Sequence, residues 1–326
     1  MESAGIANEP TRVGEAGAPA ALGTATALDA AFRDPQSSGL GAARDYLALT
    51  KPRIIVLLLW TTLTTMYVAN PAGPAAAIVL WTLLGGYLAA GGAGAINHYL
   101  DRDRDARMER TRDRPLAAGR IKPENGLWFG IGLGISAVVV LGLAVNALAA
   151  ALSLAGLLGY VFVYTVWLKP RTPQNIVIGG AAGAIPPLVG WAAATGGLSA
   201  DAIYPFALVF LWTPPHFWAL SLMIKDDYAR TGVPMLPVVS GDGVTRRQIV
   251  IYAVVLALLS LAPVATGLLG VGYLVAAAIL GSAFVALSVR LLVRPSHRNA
   301  LQLYLFSLAY LALLFGAMAV DRVLGA

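Results

Sequence analysis

The chain has 326 residues, 58% hydrophobic and 12% charged, with no cysteine and a formal net charge of +6; its mean hydropathy is +0.71. Soluble domains carry about 25% charged residues, so this composition excludes one. The missing cysteines exclude disulfides, thiolate metal sites and a cysteine nucleophile.

The apolar residues come in blocks close to the roughly 20 residues that cross a bilayer as a helix. The chain therefore reads as an all-α, polytopic membrane protein. Residues 1–43 are rich in Ala, Gly, Pro and Ser and carry charges of both signs. They lack the apolar core of a signal peptide, and Glu2, Glu9 and Glu15 argue against an organelle transit peptide. The expectation is a disordered cytoplasmic tail ahead of one membrane domain over 44–326.

Nine spans are expected near 53–69, 75–97, 126–145, 148–167, 175–195, 203–224, 248–269, 271–290 and 301–320. Turn residues separate them: Asn70-Pro71-Ala72-Gly73-Pro74, Asn146, Thr195-Gly196-Gly197, and Gly267 to Gly272. With the N-terminus in the cytoplasm, the cytoplasmic loops receive Arg102 through Lys122, Lys169 and Arg171, Lys225 through Arg247, and Arg290 through Arg298. The opposite face receives Arg322 alone among the 23 Lys and Arg. This is the positive-inside pattern, and it makes the net charge a topology signal rather than a nucleic-acid surface. Two cytoplasmic loops are long, 98–125 and 225–247, and their four-helix offset suggests a duplicated unit. Glycines crowd the second span (Gly85, Gly86, Gly91, Gly92, Gly94) and the fifth (Gly179, Gly180, Gly183, Gly190), where close helix contact is the expected role and ligand contact the alternative.

Asn97, Asp101 and Asp105 recur every four residues where the second span ends. On a helix they share one face, about 6 Å apart along the axis. Asp103 falls on the other side, and Arg102, Arg104, Arg107, Arg110, Arg112 and Arg114 fill the gaps. Taken alone, this is either a solvated, salt-bridged loop or a Mg²⁺ site. Asp226 and Asp227 open a second acidic group directly after the sixth span, with Lys225 and Arg230 beside them. Adjacent acids repel and need cations or a metal. Two acidic groups at one membrane depth suit Mg²⁺ ions bridging to a polyphosphate, with the arginines and Lys169 neutralising the remaining oxygens. An anionic diphosphate head with an apolar tail in the bilayer is the ligand this implies.

His216, in Trp212-Thr213-Pro214-Pro215-His216-Phe217-Trp218, is the clearest ionisable group inside a span, and such residues are functional candidates. The competing reading is a neutral histidine bonded to a carbonyl freed by the prolines. His98 stands beside the acidic face. Trp60, Tyr160, Tyr164, Trp212, Phe217 and Trp218 are candidates to shield a carbocation, against packing or an interfacial belt.

At these residues the chain resembles the UbiA superfamily of intramembrane prenyltransferases. The carrying segments are Asn97 to Gly119, Tyr164 to Pro170, Thr172-Pro173-Gln174-Asn175, and Trp212 to Val239. The last, with its His-Phe-Trp and Pro-Met-Leu-Pro elements, is similar to the haem branch. The resemblance spans roughly 44–320 and implies a nine-helix prenyltransferase bundle in the bacterial inner membrane. It implies transfer of farnesyl from farnesyl diphosphate to a vinyl group of haem b, giving haem O, with Mg²⁺ as cofactor and haem b as substrate. It further implies that Asn97, Asp101 and Asp105 form the first Mg²⁺–diphosphate motif, that Asp226 and Asp227 begin the second, and that Lys169 binds diphosphate with help from Arg110, Arg114 and Arg230. His216, and secondarily His98, are the candidate haem-binding residues. Such a role places haem A synthase or oxidase assembly factors among its partners, beside the lipid bilayer. One departure stands out: the superfamily's second motif often reads D-x-x-x-D, whereas these acids are adjacent, which leaves the division of ligands between Asp226 and Asp227 open. Two alternatives remain: a related enzyme prenylating an aromatic quinone precursor or another tetrapyrrole, and a secondary transporter.

Overall fold

The computed structural model describes residues 39–325; of the expected disordered tail over 1–43, residues 1–38 lie outside them, and 39–43 are instead the start of a helix, Gly39–Leu49. Contacts divide the chain after Ala42, and the bundle is built by the unit that starts at Ala43. Among the described residues there are nine helices long and apolar enough to cross a membrane, each overlapping one expected span. Their outward faces are apolar, as with Leu143, Ile54, Val56, Leu80 and Val271. That surface is incompatible with water and suits lipid tails. The chain is a multi-pass membrane protein.

Helix α1 (Gly39–Leu49) leads into α2 (Pro52–Ala69), α3 (Ala76–Asp105) and α4 (Pro123–Ala144). The fourth span is α5 (Ala147–Leu158) followed by a π-helical stretch, Gly159–Leu168. The fifth is α6 (Asn175–Gly183) and α7 (Ile185–Thr195). Then come α8 (Ile203–Met223), two short helices α9 (Lys225–Arg230) and α10 (Leu236–Val239), and the last three spans α11 (Gly241–Ala265), α12 (Val271–Val293) and α13 (His297–Leu324).

Backbone approach rather than propensity holds α3 against α4. A Cβ on Gly92 would lie 2.7 Å from the Gly130 carbonyl oxygen, and one on Gly130 would lie 2.8 Å from Ile96 Cγ1. Small residues at such crossings let dispersion contacts replace the hydrophobic drive that lipid does not supply. Polar side chains complete the ties. Asn146 caps α5 by accepting from the Ala149 amide at 2.8 Å and donates to the Ala192 carbonyl at 2.9 Å, pinning α5 to α7. Asp321, near the end of α13, accepts from the Gly270 and Tyr273 amides at 2.5 and 2.9 Å and so caps α12 from outside its own helix. Pro214 and Pro215 sit inside α8, whose neighbours keep it continuous.

Three departures from the expected spans shape the site. Helix α3 does not stop at Asn97 but continues through Asp105, carrying the acidic face on rigid backbone. Arg102 and Arg104 in its last turn favour that extension by opposing the helix dipole. The fourth span ends as a π-helix, with Lys169 donating its amide to the Tyr164 carbonyl at 2.8 Å and the Thr165 hydroxyl donating to the Tyr160 carbonyl at 2.9 Å. The fifth breaks at Ala184, because Pro186 and Pro187 lack the amides that would continue it. The long loop after α8 is also not bare: it holds α9 and α10, and α11 begins at Gly241.

Candidate active site

The acidic face of α3 is buried: Asn97, Asp101 and Asp105 are 3%, 1% and 4% exposed. Unpaired carboxylates at such burial are untenable, and each has acquired cations. Lys169 reaches Asp101 Oδ2 at 2.5 Å from the π-helical end of the fourth span. Asn97 donates to the same oxygen at 2.8 Å, and Arg104 approaches Asp101 Oδ1 at 3.3 Å. Arg114 pairs with Asp105 at 2.7 Å, and the Thr111 hydroxyl donates to the Asp105 carbonyl at 3.0 Å. The π-helix explains the convergence: its wider turn brings Tyr160, Thr165 and Lys169, four to five residues apart, onto one side. Thr165 completes this row by accepting from Asn97 at 3.2 Å.

A residue outside the expected set enters here. Lys51, between α1 and α2, donates to Asn97 Oδ1 at 2.6 Å. It holds φ at 59°, the one left-handed non-glycine conformation among the described residues. Preceding Pro52, it is barred from the ordinary helical well, and the strained conformation turns its side chain under α3. The junction fits because Gly94 has no Cβ: one there would lie 3.1 Å from the Leu49 carbonyl oxygen. Burial, with repulsion from Arg114 and Lys169, pushes the Lys51 ammonium down to about 7. Lys51 lies 6.0 Å from the Tyr160 ring centroid, and Tyr160 stacks on Tyr164 at 5.4 Å. The signal in the sequence was a lone Lys-Pro-Arg ahead of the first span, which reads as an interfacial anchor.

The second acidic segment lies on α9. Asp226 is exposed, while Asp227 is buried and paired with Arg230. Lys225 is engaged with Asp242 at 3.1 Å. An apolar cluster of Met108, Ile176, Tyr228, Val233 and Met235 joins this loop to the one after α3, with Tyr164 and Phe217 packed against it. Burial raises the Tyr228 hydroxyl above its usual range, opposed by Arg110 and Arg114, which face it. The two loops thus meet through Tyr228 and Arg110 rather than carboxylate to carboxylate. Among the described residues no three Asp, Glu or His side chains converge as a ready-made metal cage. The donor set still fits Mg²⁺, which takes one or two carboxylates and fills its shell with water and substrate phosphate.

An apolar cavity of about 240 Å³ starts at Thr50, Lys51 and Tyr160 and runs between α2, α3, α5, α6 and α7. Buried charge and apolar void therefore share Lys51 and Tyr160 as a common wall.

The histidines separate. His98 is buried on α3, and neither ring nitrogen has a hydrogen-bond partner among the described residues. His216 is sandwiched between Trp212 and Tyr304, with ring centroids 4.2 and 4.8 Å away. Its Nδ1 lies 2.6 Å from Ser307 Oγ, and that hydroxyl spends its hydrogen on the Tyr304 carbonyl at 2.6 Å. Ser307 can then only accept, so Nδ1 carries the proton and Nε2 keeps a free lone pair. The freed-carbonyl expectation for His216 does not hold: its partner is a hydroxyl on α13. Of the remaining candidate aromatics, Trp60 donates to the Ala312 carbonyl at 2.8 Å, and Trp212 and Trp218 pack in the core.

The UbiA prenyltransferase family model matches residues 58–314. A protein named protoheme IX farnesyltransferase from Roseiflexus sp. is 55% identical over 281 residues, covering 86% of this chain and 52% of its own. One of the same name from Rhizorhabdus wittichii is 49% identical over 286 residues, covering 86% and 94%. The chain spans about half the length of the first relatives it matches. A solved UbiA homolog from Archaeoglobus fulgidus, bound to DMAPP and Mg²⁺, superposes with a TM-score of 0.58 at 15% identity, covering 85% of this chain and 99% of that one. At that identity the likeness speaks for the fold alone.

Proposed function

Because this chain belongs to the UbiA prenyltransferase family, we propose that it transfers the farnesyl group of farnesyl diphosphate to a vinyl group of haem b. The observation that carries the donor half is the buried Asp101–Lys169–Asn97–Lys51 cluster opening onto an apolar cavity. Charge at one end and hydrocarbon lining beyond it match a prenyl diphosphate. Mg²⁺ held by Asp101 and Asp105, with Asn97 beside them, would neutralise the departing diphosphate; the Mg²⁺ and DMAPP bound by the Archaeoglobus homolog support this. Asp226 and Asp227 stand in the adjoining loop for a second ion.

The chain's own groups define the rest. Lys51 and Lys169, released from Asn97 and Asp101 as phosphate oxygens replace them, bind the diphosphate, with Arg110, Arg114 and Arg230 around the rim. The C1–O bond breaks and its electron pair leaves with diphosphate. The vinyl carbon attacks C1, and water captures the cation left beside the porphyrin and releases a proton to solvent, giving a hydroxyethylfarnesyl arm. Tyr160, with Tyr164 stacked on it, lines the wall next to C1, excluding water and offering a π face to the allylic cation. His216 binds the acceptor iron through Nε2, the nitrogen that Ser307 leaves unprotonated. His98, buried next to Asn97, lines the cluster rather than the acceptor side. The names of the relatives support haem b as acceptor.

The charged loops take the cytoplasmic face of the bacterial inner membrane in this reading, and the Lys and Arg excess in them supports that orientation. The test is haem-dependent release of diphosphate from labelled farnesyl diphosphate. Release at the same rate without haem b would refute the acceptor.

A further inference from the structure

We infer that the apolar cavity is a length gauge whose floor limits the donor to three isoprene units, an inference that rests on the prenyl-donor reading above. The cavity starts at Lys51 and reaches Thr62 along α2. Eleven residues of helix separate them, about 16 Å at the α-helical rise. A fully extended chain advances about 1.2 Å per bond, which puts farnesyl at about 13 Å and geranylgeranyl at about 18 Å. The first fits above Thr62 and the second does not.

Backbone contact makes the floor rigid. The Thr62 hydroxyl lies 3.2 Å from the Pro186 carbonyl oxygen. Gly190 presses so closely on the Thr62 carbonyl that any Cβ would collide with it. Helices α2 and α7 therefore meet backbone to backbone at this end of the cavity. The wall above is set by the proline break at Ala184. Gly183, just before that break, lines the cavity and has open space where a Cβ would point. A side chain there would project into the bore partway down. Gly86 on α3 is different: a Cβ there would already press on Leu59 at 3.1 Å.

Calorimetric binding of geranyl, farnesyl and geranylgeranyl thiolodiphosphates to the full chain with Mg²⁺ tests this without any acceptor. The native protein should prefer farnesyl. Gly183→Leu should weaken farnesyl by about tenfold to a hundredfold, the scale a pocket reaches for a few carbons, and geranyl far less. Leu59→Ala, which widens the bore one turn above Thr62 so that a longer chain can fold back over the floor, should strengthen geranylgeranyl relative to farnesyl. Equal losses for both donors in Gly183→Leu would overturn the gauge. Should that variant not fold, an unchanged preference in Leu59→Ala overturns it instead. A native protein that selects farnesyl but never modifies haem b would sink the acceptor and leave the gauge standing; one that binds no prenyl diphosphate would sink the donor reading itself.

Discussion

Replacing Lys169 by methionine keeps the side-chain stem and removes the charge. Its ammonium sits 2.5 Å from Asp101, a carboxylate only 1% exposed. Deleting one partner of a buried ion pair costs about 3–5 kcal/mol, because the other charge is stranded. Arg104 at 3.3 Å and Asn97 at 2.8 Å remain to share the load, so the lower end of that range, about 3 kcal/mol, is expected. Turnover should fall further than stability alone explains. A charged group aimed at a departing anion contributes on the order of 10²–10³ in rate. The double variant Lys169→Met/Asp101→Asn separates the two effects: it no longer strands a charge, so its thermal midpoint in detergent should recover while turnover stays low. A single variant with an unshifted midpoint and turnover within about threefold of native would refute the pairing as a working part of the site.

Other outcomes follow from the same geometry. Asp321→Ala should cost about 0.5–2 kcal/mol of stability through the lost cap on α12 and leave the relative preference for prenyl donors unchanged; altered donor preference would contradict its purely structural role. His216→Ala should change the absorption spectrum of bound haem, and Ser307→Ala should change it in the same direction while Ser307→Thr restores it; an unchanged spectrum in His216→Ala removes the iron ligand. Gly130→Leu should prevent α3 and α4 from meeting, measured as lost folded protein after extraction, and normal yield would disprove the glycine crossing. Chelation of Mg²⁺ should abolish turnover, with full activity on adding it back; undiminished turnover in chelator would exclude the metal.

Much of this was legible in the residues because membrane physics leaves few choices. Apolar blocks and loop charges each have one economical reading, whereas the four-residue acidic spacing, read alone, left a salt-bridged loop and a metal site both open. Lys51 was not legible, since its importance lies in a backbone conformation next to Pro52 that Gly94 accommodates and that no periodicity records. The π-helical turn that presents Lys169 was hidden for the same reason: on an α-helix Tyr160 falls on the side opposite Thr165 and Lys169. Within the glycine-rich spans the sequence did not separate Gly92, which serves packing, from Gly183, which faces the cavity. Adjacent acids at Asp226 and Asp227 hid another division, one being exposed and the other paired with Arg230.

The central claim is the pairing of a prenyl diphosphate donor with a haem acceptor. Its most direct test is the product mass after incubating the protein with farnesyl diphosphate, Mg²⁺, haem b and 4-hydroxybenzoate together. The account predicts haem b heavier by one farnesyl group and one hydroxyl group, with the benzoate untouched. Prenylated benzoate beside unchanged haem would contradict it.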